Sequence, residues 1–548
     1  MDRELDWNLI QPERKWQVLR QLRMFGMWAV YTSIGSMMLG FDFGIAGTAT
    51  AFPAFQQKFG IPYPSQPSGY LIPATWQSGW SGASSGGDIV GVLLAGQIAD
   101  WIGRKPCLGI GAILTATGVG VQLGSHDWKV FLAGRLINAI GFGMVFLMSP
   151  VWIGENVRPE VRGFFLCLVN GSIVLGQFIL SLAAYGTQKM KGKWSYETLI
   201  ILQFVFIIIL MVGYPFFPES PYWCLKVGKI EQARKCLNRM HGSSNQTLIE
   251  AELVRIREEV RVSEEMKAFA AQGGLPVLQC FQGTNIKRTL TACLPAAAQQ
   301  LIGAAFVLGY ITYFMSLIGV TDFFTVSVVL YVVMLLTNIS AFFFIEYVGR
   351  RSILVWGMLA LTLIELLMGI MGCVNASGAL WVILVCIFLW AIAYQLSIGA
   401  VGFALATELP TPRLRAPTIS LVGLTQGVFG WTVGFVSPYM INPDKGNLGA
   451  KVGFVFFGLG VFLCVAMFLF VPETKGLSFD DVSGRTSPKL SDVPVLTHTL
   501  QMDYLFNNKV NSRHFQQEIA VVRSQQSGAA VAEHDGKEAS VNEVERSS

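Results

Sequence analysis

The segments IADWIGRK (98–105) and IEYVGRR (345–351) follow one pattern: an apolar run ends on an acid, two residues pass, and Gly with two cations closes it. Written by position, they are Asp100-x-x-Gly103-Arg104-Lys105 and Glu346-x-x-Gly349-Arg350-Arg351. The duplication does not stop there. Glu155 precedes Arg162 by seven residues, and Glu408 precedes Arg415 by the same seven. Pro218-Glu219-Ser220 is answered by Pro472-Glu473-Thr474. The pairs recur in the same order, which chance seldom arranges, so the chain reads as two homologous halves.

What separates these polar marks is apolar. Of 548 residues, 52% are apolar or aromatic and 14% are Asp, Glu, Lys or Arg, against about 25% charged in a soluble domain. Such a chain cannot cover a water-facing surface, which excludes a soluble enzyme, a disordered protein and a nucleic-acid binder. A helix crossing lipid needs about 20 apolar residues. Six such runs lie near 24–47, 77–98, 107–124, 130–151, 164–186 and 198–217. Six more lie near 289–315, 323–345, 353–373, 379–406, 416–438 and 452–471. The fold class is therefore an all-α membrane protein with twelve transmembrane helices in two homologous six-helix bundles. The expected division is an N-terminal segment 1–23, bundles at 24–217 and 288–472, an amphipathic linker at 218–287 and a largely disordered tail at 473–548.

Each repeated acid–base mark falls at the end of equivalent spans, on one side of the membrane. Arg104, Lys105, Arg158, Arg162, Arg350, Arg351, Arg413 and Arg415 concentrate there. Cytosolic loops carry such an excess of Lys and Arg, so both termini and the linker are expected in the cytosol. Lys189, Lys191 and Lys193, between the fifth and sixth runs, go against this bias. The nine cysteines show no CxxC or metal-ligand spacing and read as free thiols. No metal, nucleotide or other cofactor motif is found. Gly-rich stretches near 84–87 and 141–143 lack a following Lys and read as close helix packing.

Two bundles joined by a linker can rock about a midplane site and open it to one side at a time. Asp100, Arg104, Glu155, Arg162, Glu219, Glu346, Arg350, Glu408, Arg415 and Glu473 are then expected as cytosolic gate ion pairs, closed when that face is shut. The alternative is a set of static topology anchors. Ionisable residues inside spans are expensive and mark functional positions. They are Asp42, Asp88, Arg135 and Glu365. Glu365 lies in a span expected at the periphery, and a protonated packing role is preferred for it.

The segments GQIADWIGRK (96–105), GRLINAIGFGM (134–144), PEVRG (159–163), PESP (218–221), AQQLIG (298–303), EYVGRR (346–351) and VPETKG (471–476) resemble, in order, the sugar porter family of the major facilitator superfamily. Residues 40–60 and 303–314 are most similar to fungal α-glucoside–proton symporters. The resemblance implies proton coupling through Asp42 and Arg135, with Asp88 matching an acid of the second span. It implies solute contact by Gln299 and Gln300, by Asn170 and Gln177, and by Tyr310 and Tyr313, the tyrosines also suiting an outer gate. Adjacent residues diverge by about 100° on a helix, so one of Gln299 and Gln300 is expected to face the solute and the other a helix neighbour. Asn338, Gln395 and Gln426 are further polar span residues. The sequence departs from the family at Ala305, Phe403 and Gly423, where Asn, a stacking Trp and an Arg are usual. The expected partners are a small solute (a sugar or glycoside), protons and the bilayer, with no nucleic acid, in a monomer at the cell membrane. An exporter of a small secondary metabolite is the alternative, and a non-transporting nutrient sensor a minor one.

Overall fold

The computed structural model describes residues 15–472, apart from 67, 243–245, 272–275, 284, 375, 377, 400–404, 406–408 and 411–413. A short amphipathic helix, α1 (Lys15–Gln21), leads into α2 (Arg23–Thr50). A cap follows, made of α3 (Pro53–Phe59) and the antiparallel pair β1 (Ile61–Pro62) and β2 (Tyr70–Leu71). Then come α4 (Ala74–Ile102), α5 (Arg104–Leu123), α6 (Trp128–Asn156), α7 (Arg162–Thr187) and α8 (Trp194–Gly213). The linker folds as α9 (Pro221–Lys226), α10 (Ile230–His241), α11 (Gln246–Ala271) and α12 (Pro276–Gln279). The second half holds α13 (Asn285–Leu301), α14 (Ala304–Leu317), α15 (Phe323–Val348), α16 (Arg350–Met371), α17 (Ala379–Leu396), α18 (Arg415–Ile441) and α19 (Val452–Phe470).

Eleven spans among the described residues are long and apolar enough to cross a membrane. The twelfth is α4. Its 29 residues reach about 43 Å at 1.5 Å each, but Gly, Ser and Gln along 77–87 dilute its apolar character. Those same small residues let it pack closely. A methyl group at Gly91 would lie 2.2 Å from the Ile140 carbonyl oxygen, and one at Gly143 of α6 2.4 Å from that of Asp88. Small residues that admit a neighbouring backbone are how helices associate in lipid.

α13 and α14 form one span broken at Gly303, whose φ of +87° suits a residue without a Cβ. The apolar core divides accordingly. One cluster centres on Ala296, Phe306, Tyr310, Met358 and Trp390 of the second half. Another holds Phe41, Phe55, Trp80, Phe142 and Tyr196 of the first. The halves meet where α2 faces α14, α4 faces α18 and α7 faces α15. Among the described residues eight cysteines are free, five of them buried and Cys373 exposed. Asn245 and Asn375, each the first residue of an Asn-x-Ser/Thr sequon, lie outside the described residues.

Candidate functional site

Asp42 of α2 and Arg135 of α6 meet at the middle of the first half, each 2% exposed. Arg135 Nη1 donates to Asp42 Oδ1 at 2.6 Å, and Nη2 donates to Ser84 Oγ at 2.8 Å. Ser84 in turn donates to Asp42 Oδ2 at 3.2 Å. Asn138, one turn beyond Arg135, reaches Asp42 Oδ1 at 3.4 Å and Gln203 Oε1 of α8 at 3.1 Å. The pair is thus bound into a network spanning α2, α4, α6 and α8. A charge pair so far from water survives only when its remaining hydrogen-bonding capacity is met, and here Ser84 and Asn138 meet part of it, while Arg135 Nε has no partner among the described residues. Asp88 stands one turn beyond Ser84 on α4, and its Oδ1 is enclosed with no partner among the described residues. Sequence reasoning found Asp42, Arg135 and Asp88 but missed Ser84, Asn138 and Gln203. A polar residue three positions from an intramembrane Arg was the available signal for Asn138.

Within the second half, Gln299 Oε1 accepts from Gln426 Nε2 of α18 at 3.0 Å. A methyl group at Gly430 would come within 3.3 Å of Gln300 Oε1. Both adjacent amides therefore meet α18, rather than diverging to a solute and a neighbour. The reason is Gly430, which sits one turn from Gln426 and leaves room for a second side chain. Gln177 of α7 is 2% exposed and Asn170 is half-buried. Asn338 donates to Gln395 Oε1 at 3.4 Å. Ala305 is buried in the apolar cluster of the second half.

Tyr310 and Tyr313 lie between the halves, away from the Gln pair. Tyr310 Oη donates to the Gln77 carbonyl at 3.4 Å. Tyr313 Oη donates to Asn442 Oδ1 at 2.5 Å, and Gln77 Nε2 reaches that oxygen at 3.3 Å. Asn442 Nδ2 donates to the Ile72 carbonyl at 2.9 Å and to Asp444 Oδ1 at 2.6 Å. Asp444 Oδ2 accepts from the Ala74 backbone N–H at 3.1 Å. This caps α4, which begins at Pro73 without a side-chain cap of its own. Nearby, a methyl group at Gly47 would lie 2.1 Å from the Gly309 carbonyl oxygen. The end of the bundle that carries the 51–73 and 442–451 loops is therefore shut by contacts between halves. Gln77, Asn442 and Asp444 were not anticipated.

The acid–base marks of the first half lie at the opposite end. Arg104 Nε sits 3.0 Å from both Glu155 oxygens, and Nη1 lies 3.3 Å from Asp100 Oδ1. Ser220 Oγ donates to Glu155 Oε2 at 2.6 Å. Glu219 Oε1 accepts the N–H groups of Arg104 at 2.9 Å, Lys105 at 3.2 Å and Ser220 at 2.8 Å. Burial raises the Glu219 carboxyl above its usual range, while those N–H groups pull it back. Asp100, Arg104, Glu155 and Glu219 are thus brought together, but entirely inside the first half. Arg162 is exposed and takes no part in the cluster; Glu155 pairs with Arg104 instead, because the chain turns after Asn156 and carries Arg162 onto the next helix. In the second half, Arg351 Nη2 donates to the Phe468 carbonyl at 2.7 Å, and Nη1 donates to that of Val471. Arg350 is half-buried at the start of α16. The side chains of Glu346 and Arg415, and all of Phe403, Glu408 and Glu473, lie outside the described residues.

The family model described as "Sugar (and other) transporter" matches residues 28–484. The chain belongs to that family. A major facilitator-type transporter of Aspergillus rugulosus is 26% identical, over 82% of this chain and 85% of its own. A general alpha-glucoside permease of Saccharomyces cerevisiae is 26% identical, over 87% of this chain and 78% of its own. Among solved structures, an inward-open conformation of the xylose transporter of E. coli superposes with a TM-score of 0.66 at 20% identity, covering 83% of this chain and 97% of that one. The transporter thus has the twelve-helix major facilitator fold.

Proposed function

We propose that this transporter couples proton entry to uptake of a sugar or glycoside across the cell membrane, by alternating access. The observation that carries this reading is the buried Asp42–Arg135 pair. It is held by Ser84 and Asn138 beside an Asp88 oxygen that has no partner among the described residues. A proton on Asp42 competes with Arg135 for the same carboxylate. Loading it therefore loosens the hold between α2 and α6, and Asp88 stands ready to exchange that proton. The helices at 24–217 and 288–472 are the moving bodies, joined by the 218–287 linker. Both termini, including the 1–23 segment and the 473–548 tail, lie in the cytosol, and the transporter acts as a monomer.

The solute is held by the amides of Gln299, Gln300 and Gln426, together with Asn170 and Gln177 of the first half. Amides offer a donor and an acceptor together, which matches sugar hydroxyls. Names of relatives agree with this chemistry: one solved neighbour is described as a proton:xylose symporter and several curated relatives as alpha-glucoside permeases. In proteoliposomes, uptake of labelled maltose should rise when the outside is made acidic. Asp42→Asn should abolish accumulation while preserving exchange. Accumulation that ignores the imposed gradient, or that survives Asp42→Asn, would remove the coupling claim.

A second reading, export of a small secondary metabolite, draws on the apolar setting of Ala305. Binding of glycosides in a solute panel argues against it.

A further inference from the structure

Glu365 lies on α16, apart from both groups of site residues, and is 2% exposed. Its Oε1 accepts a hydrogen bond from Trp390 Nε1 at 3.3 Å. Its Oε2 has no partner among the described residues. The carboxyl borders a small apolar cavity shared with Gly303, Phe306, Trp390 and Phe456. A carboxyl group at membrane depth costs several kcal/mol, and an apolar residue of similar volume would fill this place without that cost. Packing alone does not explain it.

Trp390 leads back to the solute site. Its ring lies flat on Tyr394, one turn further along α17, with centroids 4.9 Å apart and planes 9° apart. The Tyr394 hydroxyl lies beside the Gln299 side chain. Gln299 is the amide bonded to Gln426 of α18. One continuous file therefore runs from α16 through α17 to α13 and α18. It passes beside Gly303, where the α13–α14 span is broken.

We infer that Glu365 is a positioning residue for the solute-binding amides: by anchoring the Trp390 indole, it fixes the plane on which Tyr394 rests, and so fixes Gln299. The inference rests on the reading of Gln299 as a solute contact. Without the carboxyl, the indole N–H faces an apolar cavity and the ring tilts toward free space. Tyr394 then loses its platform and Gln299 one of its two restraints. A glutamine at 365 keeps the acceptor oxygen and the shape.

The test compares Glu365→Leu, Glu365→Gln, Trp390→Phe and Gln299→Ala in proteoliposomes by uptake of labelled maltose. Glu365→Leu should raise KM about fivefold, the loss of about 1 kcal/mol at 1.4 kcal/mol per tenfold, with the maximal exchange rate per folded molecule within twofold of wild type. Glu365→Gln should restore KM. Trp390→Phe should match Glu365→Leu, and the double variant should be no worse than either. If Gln299→Ala raises KM while Glu365→Leu does not, the inference fails and the solute reading stands. If Gln299→Ala leaves KM unchanged, the solute reading fails. A second measurement needs no solute. Amide hydrogen exchange in 290–301 and 390–396 should speed up in Glu365→Leu but not in Glu365→Gln. Unchanged exchange overturns the inference, even where maltose is not carried.

Discussion

Replacing Asn442 with alanine should open the end of the bundle that the structure shows shut. Asn442 makes two hydrogen bonds to the other half, accepting from Gln77 Nε2 at 3.3 Å and donating to the Ile72 carbonyl at 2.9 Å. At about 1 kcal/mol net for each neutral bond, their loss removes about 2 kcal/mol. Asn442 also holds Asp444, whose other oxygen caps the first N–H of α4 from across the interface. Loosening such a cap costs about 1 kcal/mol. None of these bonds can form when the halves part at this end, so the whole loss falls on the shut state. About 3 kcal/mol shifts the shut-to-open ratio about a hundredfold. Spin labels at Lys191→Cys and Lys445→Cys, exposed positions on opposite halves at this end, would report it as a new population at longer distance in pulsed dipolar spectra. A folded Asn442→Ala protein with an unchanged distance distribution would refute the reasoning: the network would then be a consequence of closure and not a cause of it.

Two further outcomes follow from close contacts. Gly47→Ala places a methyl group 2.1 Å from the Gly309 carbonyl oxygen, so α2 and α14 cannot approach and the shut state is lost; maximal uptake should fall more than tenfold while binding of solute from that side persists, and normal turnover would show that the helices need not touch. On the linker, burial lowers the His241 imidazole from 6.5 to about 4, with Glu252 opposing the shift and Arg255 and Arg158 adding to it. The folded linker therefore holds a neutral ring, and its stability is complete above about pH 6.5 and drains away as pH falls toward 4. At pH 5.5 the loss is about 1 kcal/mol, or roughly five- to tenfold more undocked linker. Limited proteolysis of 218–287 should accelerate over that range in wild type and stay flat in His241→Phe, whose ring keeps the stacking on Phe25. Equal acceleration in both would assign the effect elsewhere.

The span boundaries were legible because lipid imposes length and apolarity on every helix at once, and even α4, diluted by Ser and Gly, kept its place in the duplication. The family signatures pointed to Asp42 and Arg135, but nothing in one sequence could show that Ser84 and Gln203 complete their network, since each stands on a different helix. The seven-residue spacing of Glu155 and Arg162 marked the duplication, and both were expected in gate ion pairs between helices. Glu155 does pair between helices, but with Arg104, because its helix ends at Asn156 and the turn carries Arg162 onto the next one. The bonds of Gln77 to Asn442 and of Asp444 to Ala74 were invisible for a related reason: they join helix ends from opposite halves, and neither amphipathic period nor motif marks such positions.

The placement of the charges bears on how the transporter can switch at all. Breaking a buried ion pair by removing one partner costs about 3–5 kcal/mol, and a carrier that had to break several at each stroke would be trapped on one side. Here Asp100, Arg104, Glu155 and Glu219 tie α4, α5, α6 and the start of the linker to one another. Arg158 likewise bonds Glu252 of α11 at 2.6 Å. The cluster therefore moves with the first half as one body, stiffening it, and the rocking of the halves leaves these pairs whole. The bonds that do cross between halves at the shut end are few and largely neutral, on Gln77, Tyr310, Tyr313 and Asn442, with the Asp444 carboxylate added on the Ala74 N–H. Their sum is a few kcal/mol, a gap that differential binding of a solute or a proton can overcome. Rigid bodies held by charge and a gate held by largely neutral hydrogen bonds are the division of labour that reversible alternation requires.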